Sequence, residues 1–315
     1  MPDETPLHPD VARVLQLMAA ADLPPYHEMS AAEARAAHEE RAPTLDLPVA
    51  PLPLIRDLRI PGPAGALKAR LYCPMAEPGR EPVVLWLHGG GHTVGSIACY
   101  DSVCSRLALH SGAMVLSLEY RLAPEHPFPA AVEDAYGALC WLSAQAGSLG
   151  GDPSRIALAG DSAGGNLAAV CALMARDDGL PGIRHQLLVY PAVGADLEHP
   201  SHHLFGEDHL LTRRDIQWFR QQYLGTGNTP MDWRFAPQLA PDHRALAPAT
   251  MIVASHDPLR DEGIAYANTL QAAGTPCDLV VARGMVHAFW SLGAAVRPAA
   301  RSLEDAAARL AAALQ

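Results

Sequence analysis

The sequence carries too little positive charge for a polyanion-binding protein. Its 315 residues hold 23 Lys and Arg against 34 Asp and Glu, a formal net charge of −11. Binding to a nucleic acid or an anionic membrane needs clustered cations, so neither partner is expected. There is no Cys-x-x-Cys pair. Cys73, Cys99, Cys104, Cys140, Cys171 and Cys277 are scattered, four of them in or beside apolar runs, and read as buried free thiols. No uninterrupted apolar span is long enough to cross a bilayer. Met1-Pro2-Asp3-Glu4-Thr5 is acidic where a secretory leader would be basic, so a cytoplasmic location is the default expectation. His-Glu-x-x-His and related ligand spacings are missing, so no metal and no cofactor are expected. His199, His202, His203 and His209 then read as residues of a solvated loop. No internal repeat is visible, and association into a homo-oligomer is left open.

What is present is a long alternation of strand and helix patterns. Residues 1–50 read as helices. Asp10 to Ala21 has an amphipathic face, Ser30-Ala31-Ala32-Glu33 is a capping box opening a second helix to about Arg41, and Pro43, Pro48, Pro51 and Pro53 make an extended connector. Ile55 to Ile60 and Ala66 to Tyr72 flank a Pro-Gly turn as a hairpin. Strands are expected at Pro82–Leu87, Ala113–Leu118, Arg155–Ala159, Arg184–Tyr190, Thr250–Ala254 and Asp278–Ala282. Helices are expected between them and at Pro298–Leu314. Such alternation implies an α/β fold with a mostly parallel sheet covered on both faces. It breaks between Pro191 and about Ala247, where one helix runs from Thr212 to Leu224 and the rest reads as loop. The N-terminal helices have no strands of their own. With the interruption, they are the natural candidates for a cap over the strand ends.

One stretch carries the chemistry. A short apolar strand ends in Gly160-Asp161-Ser162-Ala163-Gly164, and an apolar helix follows at once. In a strand–turn–helix setting, G-x-S-x-G is a nucleophile elbow: the turn is tight, so its neighbours must be small, and the serine stands at a helix N-terminus. The competing reading of Ser162 is an N-cap. A serine hydroxyl needs a histidine base and a carboxylate to orient it. Asp257 follows the strand Met251–Ala254, and His287 follows the last strand, in the order acid then base. Asp261 is the rival acid, though it reads better as a first-turn carboxylate of the next helix. His88-Gly89-Gly90-Gly91 follows a strand, and its glycines can turn amides towards a developing oxyanion together with the amide of Ala163.

These motifs, with Tyr120-Arg121-Leu122-Ala123-Pro124-Glu125, Asp257-Pro258-Leu259-Arg260-Asp261-Glu262-Gly263, and His287 two residues before Phe289, resemble the hormone-sensitive-lipase-like branch of the α/β-hydrolase esterases. The resemblance spans about residues 85 to 290. It implies an eight-stranded, mostly parallel sheet with a helical cap, and ester hydrolysis through an acyl-enzyme. By motif match, Ser162, His287 and Asp257 form the triad, and Gly90, Gly91 and Ala163 supply the oxyanion hole. His88 would hold the loop, with Gly89, Gly160, Asp161 and Gly164 as support. The implied organisation is residues 1–50 as N-terminal cap helices, 51–194 as the first part of the catalytic domain, 195–247 as a cap insertion, and 248–315 as the second part. His92 departs from the aromatic residue common at its position and reads as a polar pocket residue. Arg121 and Glu125 read as a charged pair fixing their loop. Trp218, Phe219, Tyr223 and Phe289 are candidates for an apolar pocket wall or for core. The expected activity is hydrolysis of short- to medium-chain carboxylic esters. A peptidase or acyltransferase using the same triad, and a ligand-binding protein on a hydrolase fold, are the alternatives.

Overall fold

The computed structural model describes residues 5–21 and 23–315; the acidic residues Met1–Glu4 lie outside them. Eight strands form one sheet: β1 (Leu54–Gly62), β2 (Gly65–Cys73), β3 (Glu81–Leu87), β4 (Met114–Glu119), β5 (Gly151–Asp161), β6 (Ile183–Val189), β7 (Ala249–His256) and β8 (Cys277–Val286). Their order is β1-β2-β4-β3-β5-β6-β7-β8. The β1–β2 and β2–β4 pairings are antiparallel and the other five are parallel.

Side chains alternate across each strand, and the two faces bury separate sets. Val83, Leu85 and Leu87 of β3 join Leu116, Leu118, Ile156 and Leu158 on one face. Helices α4 (Ala130–Gln145), α5 (Ala163–Asp177) and α8 (Arg260–Ala272) cover it with Leu139, Leu167, Val170 and Tyr266. Val84, Trp86, Val115, Ala157, Ala159 and Val189 face the other way, against Val103 and Leu107 of α3 (Asp101–Ser111) and Leu303 and Leu310 of α9 (Arg297–Ala313). Each fully buried leucine here contributes about 1.5–3 kcal/mol. Both faces are dry, which is why the central strands read as continuous apolar runs.

Helices α1 (Pro9–Ala20) and α2 (Ala31–Leu45) belong to the other half of the structure, with α6 (Pro200–Leu204) and α7 (Arg213–Leu224) from the interruption. Val11 and Val14 of α1 join the second core, and Ala34 of α2 packs with Val94 and Phe219. Tyr26, between α1 and α2, sits 5.3 Å from the Phe219 ring of α7, and the His27 ring lies 2.8 Å from Asp215 of α7. Two segments far apart in sequence therefore meet over the carboxyl ends of the parallel strands. The capping box at Ser30/Glu33 forms, and the structure adds a second one at Thr212/Asp215.

The structure corrects four readings. Helix α2 does not stop before Pro43 but includes it, because its last turn carries Ala42 and Leu45 onto the core. The stretch after Pro191 contains a short helix, α6, opened by Pro200. His202 on that helix is fully buried, with its ring 3.0 Å from the buried Glu262, so it is not a solvated loop residue. Arg121 and Glu125 do not pair with each other. Arg121 holds Asp134 of α4 at 2.8 Å, while Glu125 takes Arg35 of α2 at 2.9 Å. Each carboxylate is met by the arginine that the helix packing brings to it. All six cysteines are free; five are buried and Cys140 is half-buried. Among the described residues, no helix is long and apolar enough to cross a membrane.

Asp134 is fully buried, and its oxygens accept from Arg121 Nε, Arg121 Nη2 and the Arg121 amide. Removing the guanidinium leaves an unpaired buried carboxylate. Arg121→Met is expected to lose about 3 kcal/mol of stability in urea denaturation at neutral pH. Glu125→Gln, at a half-exposed pair, is expected to lose no more than about 1 kcal/mol.

Candidate active site

Strands β3, β5, β7 and β8 run in one direction, so the residues after each of them collect along a single edge. Ser162 stands between β5 and α5 with φ 53° and ψ −119°, a backbone region that non-glycine residues rarely occupy. Its amide donates to Val189 of β6 at 2.8 Å, which ties the turn to the neighbouring strand. The turn closes only because Gly164 has no side chain. A Cβ there would lie 1.9 Å from the Leu87 carbonyl oxygen at the end of β3.

His287 Nε2 lies 2.9 Å from Ser162 Oγ, and His287 Nδ1 lies 2.7 Å from Asp257 Oδ2. Asp257 is completely buried, and its other oxygen accepts the Leu259 amide at 2.8 Å. The carboxylate is thus fixed in direction. It holds the proton on Nδ1 and leaves Nε2 to accept from the serine hydroxyl. The Tyr190 ring lies 4.9 Å from the imidazole and limits its tilt. Asp261, the rival acid, sits in the first turn of α8, where it accepts from the Ser201 amide at 2.9 Å.

The loop after β3 is built to a fixed shape. His88 is fully buried, with Nδ1 2.7 Å from the Gly89 carbonyl and its ring stacked 4.3 Å from Tyr120; burial lowers its pKa to about 4, so it is neutral. The Gly89 amide donates to Asp161 Oδ1 at 2.7 Å, and the Tyr100 hydroxyl donates to Asp161 Oδ2 at 3.0 Å. Gly91 has φ 58°, and a Cβ there would lie 2.3 Å from the Phe219 ring. Ala163 is the first residue of α5, so its amide has no acceptor within the helix. Gly90, Gly91 and Ala163 line the same cavity as Ser162 and His287.

Geometry alone permits one kind of chemistry: proton transfer from a hydroxyl to an imidazole beside main-chain donors. A model of the α/β hydrolase fold matches residues 84–291. The chain belongs to the hormone-sensitive-lipase-like branch of the α/β hydrolases. This hydrolase is 46% identical over 244 residues to the carboxylic ester hydrolase LipN of Mycobacterium tuberculosis, covering 76% of this chain and 65% of LipN. It is 38% identical to an ethyl acetate hydrolase of Pseudomonas putida over 94% of this chain and 96% of that one. Among solved structures, the Pyrobaculum calidifontis esterase superposes with a TM-score of 0.91 at 38% identity, covering 98% of this chain and all of that one (100%). An ester hydrolase from the Lake Arreo metagenome, complexed with a bipyridine phosphonate derivative, superposes with a TM-score of 0.94 at 36% identity, covering 97% of this chain and 98% of that one.

The hydrolase cavity above Ser162 is about 720 Å³. His92, Phe219 and Tyr223 line it, together with Leu45, Ile216 and Leu211. The His92 ring stacks 3.7 Å from Tyr223, and burial holds its pKa near 3, so it is a neutral wall. Phe289 does not reach the cavity. It is fully buried beneath Tyr190, because the turn after His287 directs it into the core behind the sheet. Trp218 packs edge-on to Phe219 outside the lining.

Two residues that shape the site were assigned no role by the sequence, although Glu262 lies within the Asp257–Gly263 motif. Asn166 Nδ2 donates to the Ala192 and Phe235 carbonyls, both at 2.7 Å. Its one hint is being a poor helix former inside an apolar helix. Glu262 accepts the Val193 and Gly194 amides at 2.7 and 3.1 Å, and only the fold brings those residues together.

Burial raises the Asp161 pKa from 3.8 to about 6, against the lowering effect of the Tyr100 and Gly89 hydrogen bonds. A carboxyl whose folded pKa lies above its unfolded one gives its full stability below the unfolded value and loses it as pH rises through the folded value. The wild type is therefore expected to lose about 3 kcal/mol relative to Asp161→Asn between pH ~4 and ~7. Urea unfolding of both proteins across that range checks it; a constant difference between them would contradict the assignment.

Proposed function

We propose that the protein is a serine esterase that hydrolyses short- to medium-chain carboxylic esters through an acyl-enzyme. The observation that carries the proposal is the continuous hydrogen-bonded chain from Asp257 through His287 to Ser162, at 2.7 and 2.9 Å. His287 Nε2 takes the hydroxyl proton as Ser162 Oγ attacks the ester carbonyl. The buried Asp257 carboxylate stabilises the imidazolium that forms. The carbonyl oxygen becomes an oxyanion and is met by the amides of Gly90, Gly91 and Ala163. His287 then protonates the departing alkoxide, which leaves as the alcohol. Water, deprotonated by the same imidazole, attacks the acyl-serine and releases the acid.

His88, Gly89 and Asp161 act as positioning residues, because they hold the loop that presents the amides. Residues 1–50 and 195–247 serve as a cap: their meeting at Tyr26–Phe219 and His27–Asp215 supports this division. The apolar lining and modest volume of the cavity support a small or medium ester as substrate. Naming as ester hydrolases is shared by the Mycobacterium and Pseudomonas relatives. Unpaired thiols throughout the core support a reducing, cytoplasmic setting.

Ser162→Ala is expected to lower turnover of p-nitrophenyl acetate and butyrate by roughly 10⁴-fold or more. A fluorophosphonate probe is expected to label the wild type and not this variant. Full ester turnover by Ser162→Ala would refute the proposal.

A further inference from the structure

The α2 wall of the cavity is not uniformly apolar. His38, Arg41, Ala42 and Leu45 line the cavity and recur at three- and four-residue spacing, one face of the helix. The site and this face are joined by packed rings. Gly91 lies against Phe219, Phe219 lies 5.3 Å from Tyr26, and the Tyr26 hydroxyl lies 2.9 Å from His38 Nδ1. Arg41 follows one turn further along α2.

Arg41 is half-buried. Among the described residues its guanidinium has no hydrogen-bond or ion-pair partner, unlike the other charged groups inside the cavity. Arg220 donates to the carbonyls of Gly194, Ala195 and Asp196. Asp215 is held by His27 and Thr212, and Asp161 by Gly89 and Tyr100. Asp208 lines the opening but is exposed to solvent. No carboxylate occupies the positions three or four residues from Arg41 on its own helix. Glu39 and Glu40 precede it in the chain but are exposed, and the two rings that line the cavity beside it are uncharged at neutral pH: burial lowers the His38 pKa to about 4 and raises that of Tyr26 to about 12. His38 Nδ1 lies 2.9 Å from the Tyr26 hydroxyl, so the neutral ring is polar but brings no charge beside Arg41. An unpaired guanidinium in an apolar-lined cavity fits a carboxylate better than it fits any neutral group, since the planar fork matches two oxygens.

We propose that Arg41, with His38 beside it, forms an anion subsite at the α2 end of the cavity. The preferred substrates are then esters that carry a free carboxylate separated from the scissile bond by an apolar chain. The inference rests on the esterase reading above and names its substrate class. Hydrolysis of a dicarboxylic half-ester is an ordinary ester cleavage: Ser162 displaces the alcohol, water releases the diacid, and the distal carboxylate takes no part in bond making.

Two series of esters test it. Monoethyl adipate, suberate and sebacate are compared with ethyl hexanoate, octanoate and decanoate, which places the carboxylate on the acyl side. The butyryl ester of 6-hydroxyhexanoate is compared with hexyl butyrate, which places it on the alcohol side. Arg41→Gln is expected to lower kcat/KM on the charged member of at least one series by roughly 10–100-fold, through KM, while neutral esters change less than about two-fold. Arg41→Lys is expected to recover part of the loss, and high salt to weaken the wild-type preference. Equal effects of Arg41→Gln on charged and neutral esters, or no effect on either series, would overturn the subsite. If the wild type hydrolyses neither the charged nor the neutral esters, the esterase reading fails instead. Calorimetric binding of suberate to wild type and Arg41→Gln then decides the subsite separately: tighter binding to the wild type supports it, and equal binding refutes it.

Discussion

A serine held at φ 53° between a strand and a helix is the constraint on which the rest of this structure depends. The conformation carries a backbone cost of order 1–3 kcal/mol. It persists because the surroundings over-determine it. The Ser162 amide is tied to β6, the α5 backbone presses on the end of β3 where Gly164 leaves room, and Asn166 fastens the helix to the Ala192 and Phe235 carbonyls. The strained turn places a hydroxyl and a helix N-terminus on the same side, where an imidazole from β8 already waits.

The two carboxylates beneath this turn, Asp161 and Glu262, are buried and hydrogen-bonded. Asp161 receives Gly89 and Tyr100, while Glu262 receives Val193, Gly194 and His202. An unpaired carboxylate at either place would be strongly destabilising. Both carboxylates instead serve as fixed acceptors that set loop shape. His88 and His92 are kept neutral by burial and act as flat aromatic walls, stacked on Tyr120 and Tyr223. Neither imidazole thereby adds charge to the walls of the site.

Above the edge, two segments separated by about 180 residues close one cavity. Ala34, Val94 and Phe219 form a small apolar cluster of their own, apart from the two large cores of the sheet. Val11 and Val14 of α1 and Tyr223 of α7 tie these helices further into the two sheet cores. Directed hydrogen bonds add to this packing: Arg35 of α2 reaches Glu125, and Arg220 of α7 fastens the Gly194–Asp196 carbonyls.

The sequence alone determined the alternation of strands and helices, the capping box at Ser30 and the helix start at Thr212, and the serine, aspartate and histidine that follow β5, β7 and β8. Those features follow from local patterns: apolar runs, cap residues, and glycines where a turn allows no side chain. Tertiary structure decided the rest. Which arginine meets Asp134 or Glu125, that His202 lies buried on Glu262 instead of in solvent, and that Phe289 packs as core while Phe219 lines the cavity all depend on helices brought together across long gaps. Local periodicity says which face of an element is apolar. It does not say which distant element will cover that face, because that is fixed only when the sheet closes its register and helices α1, α2, α6 and α7 settle against it.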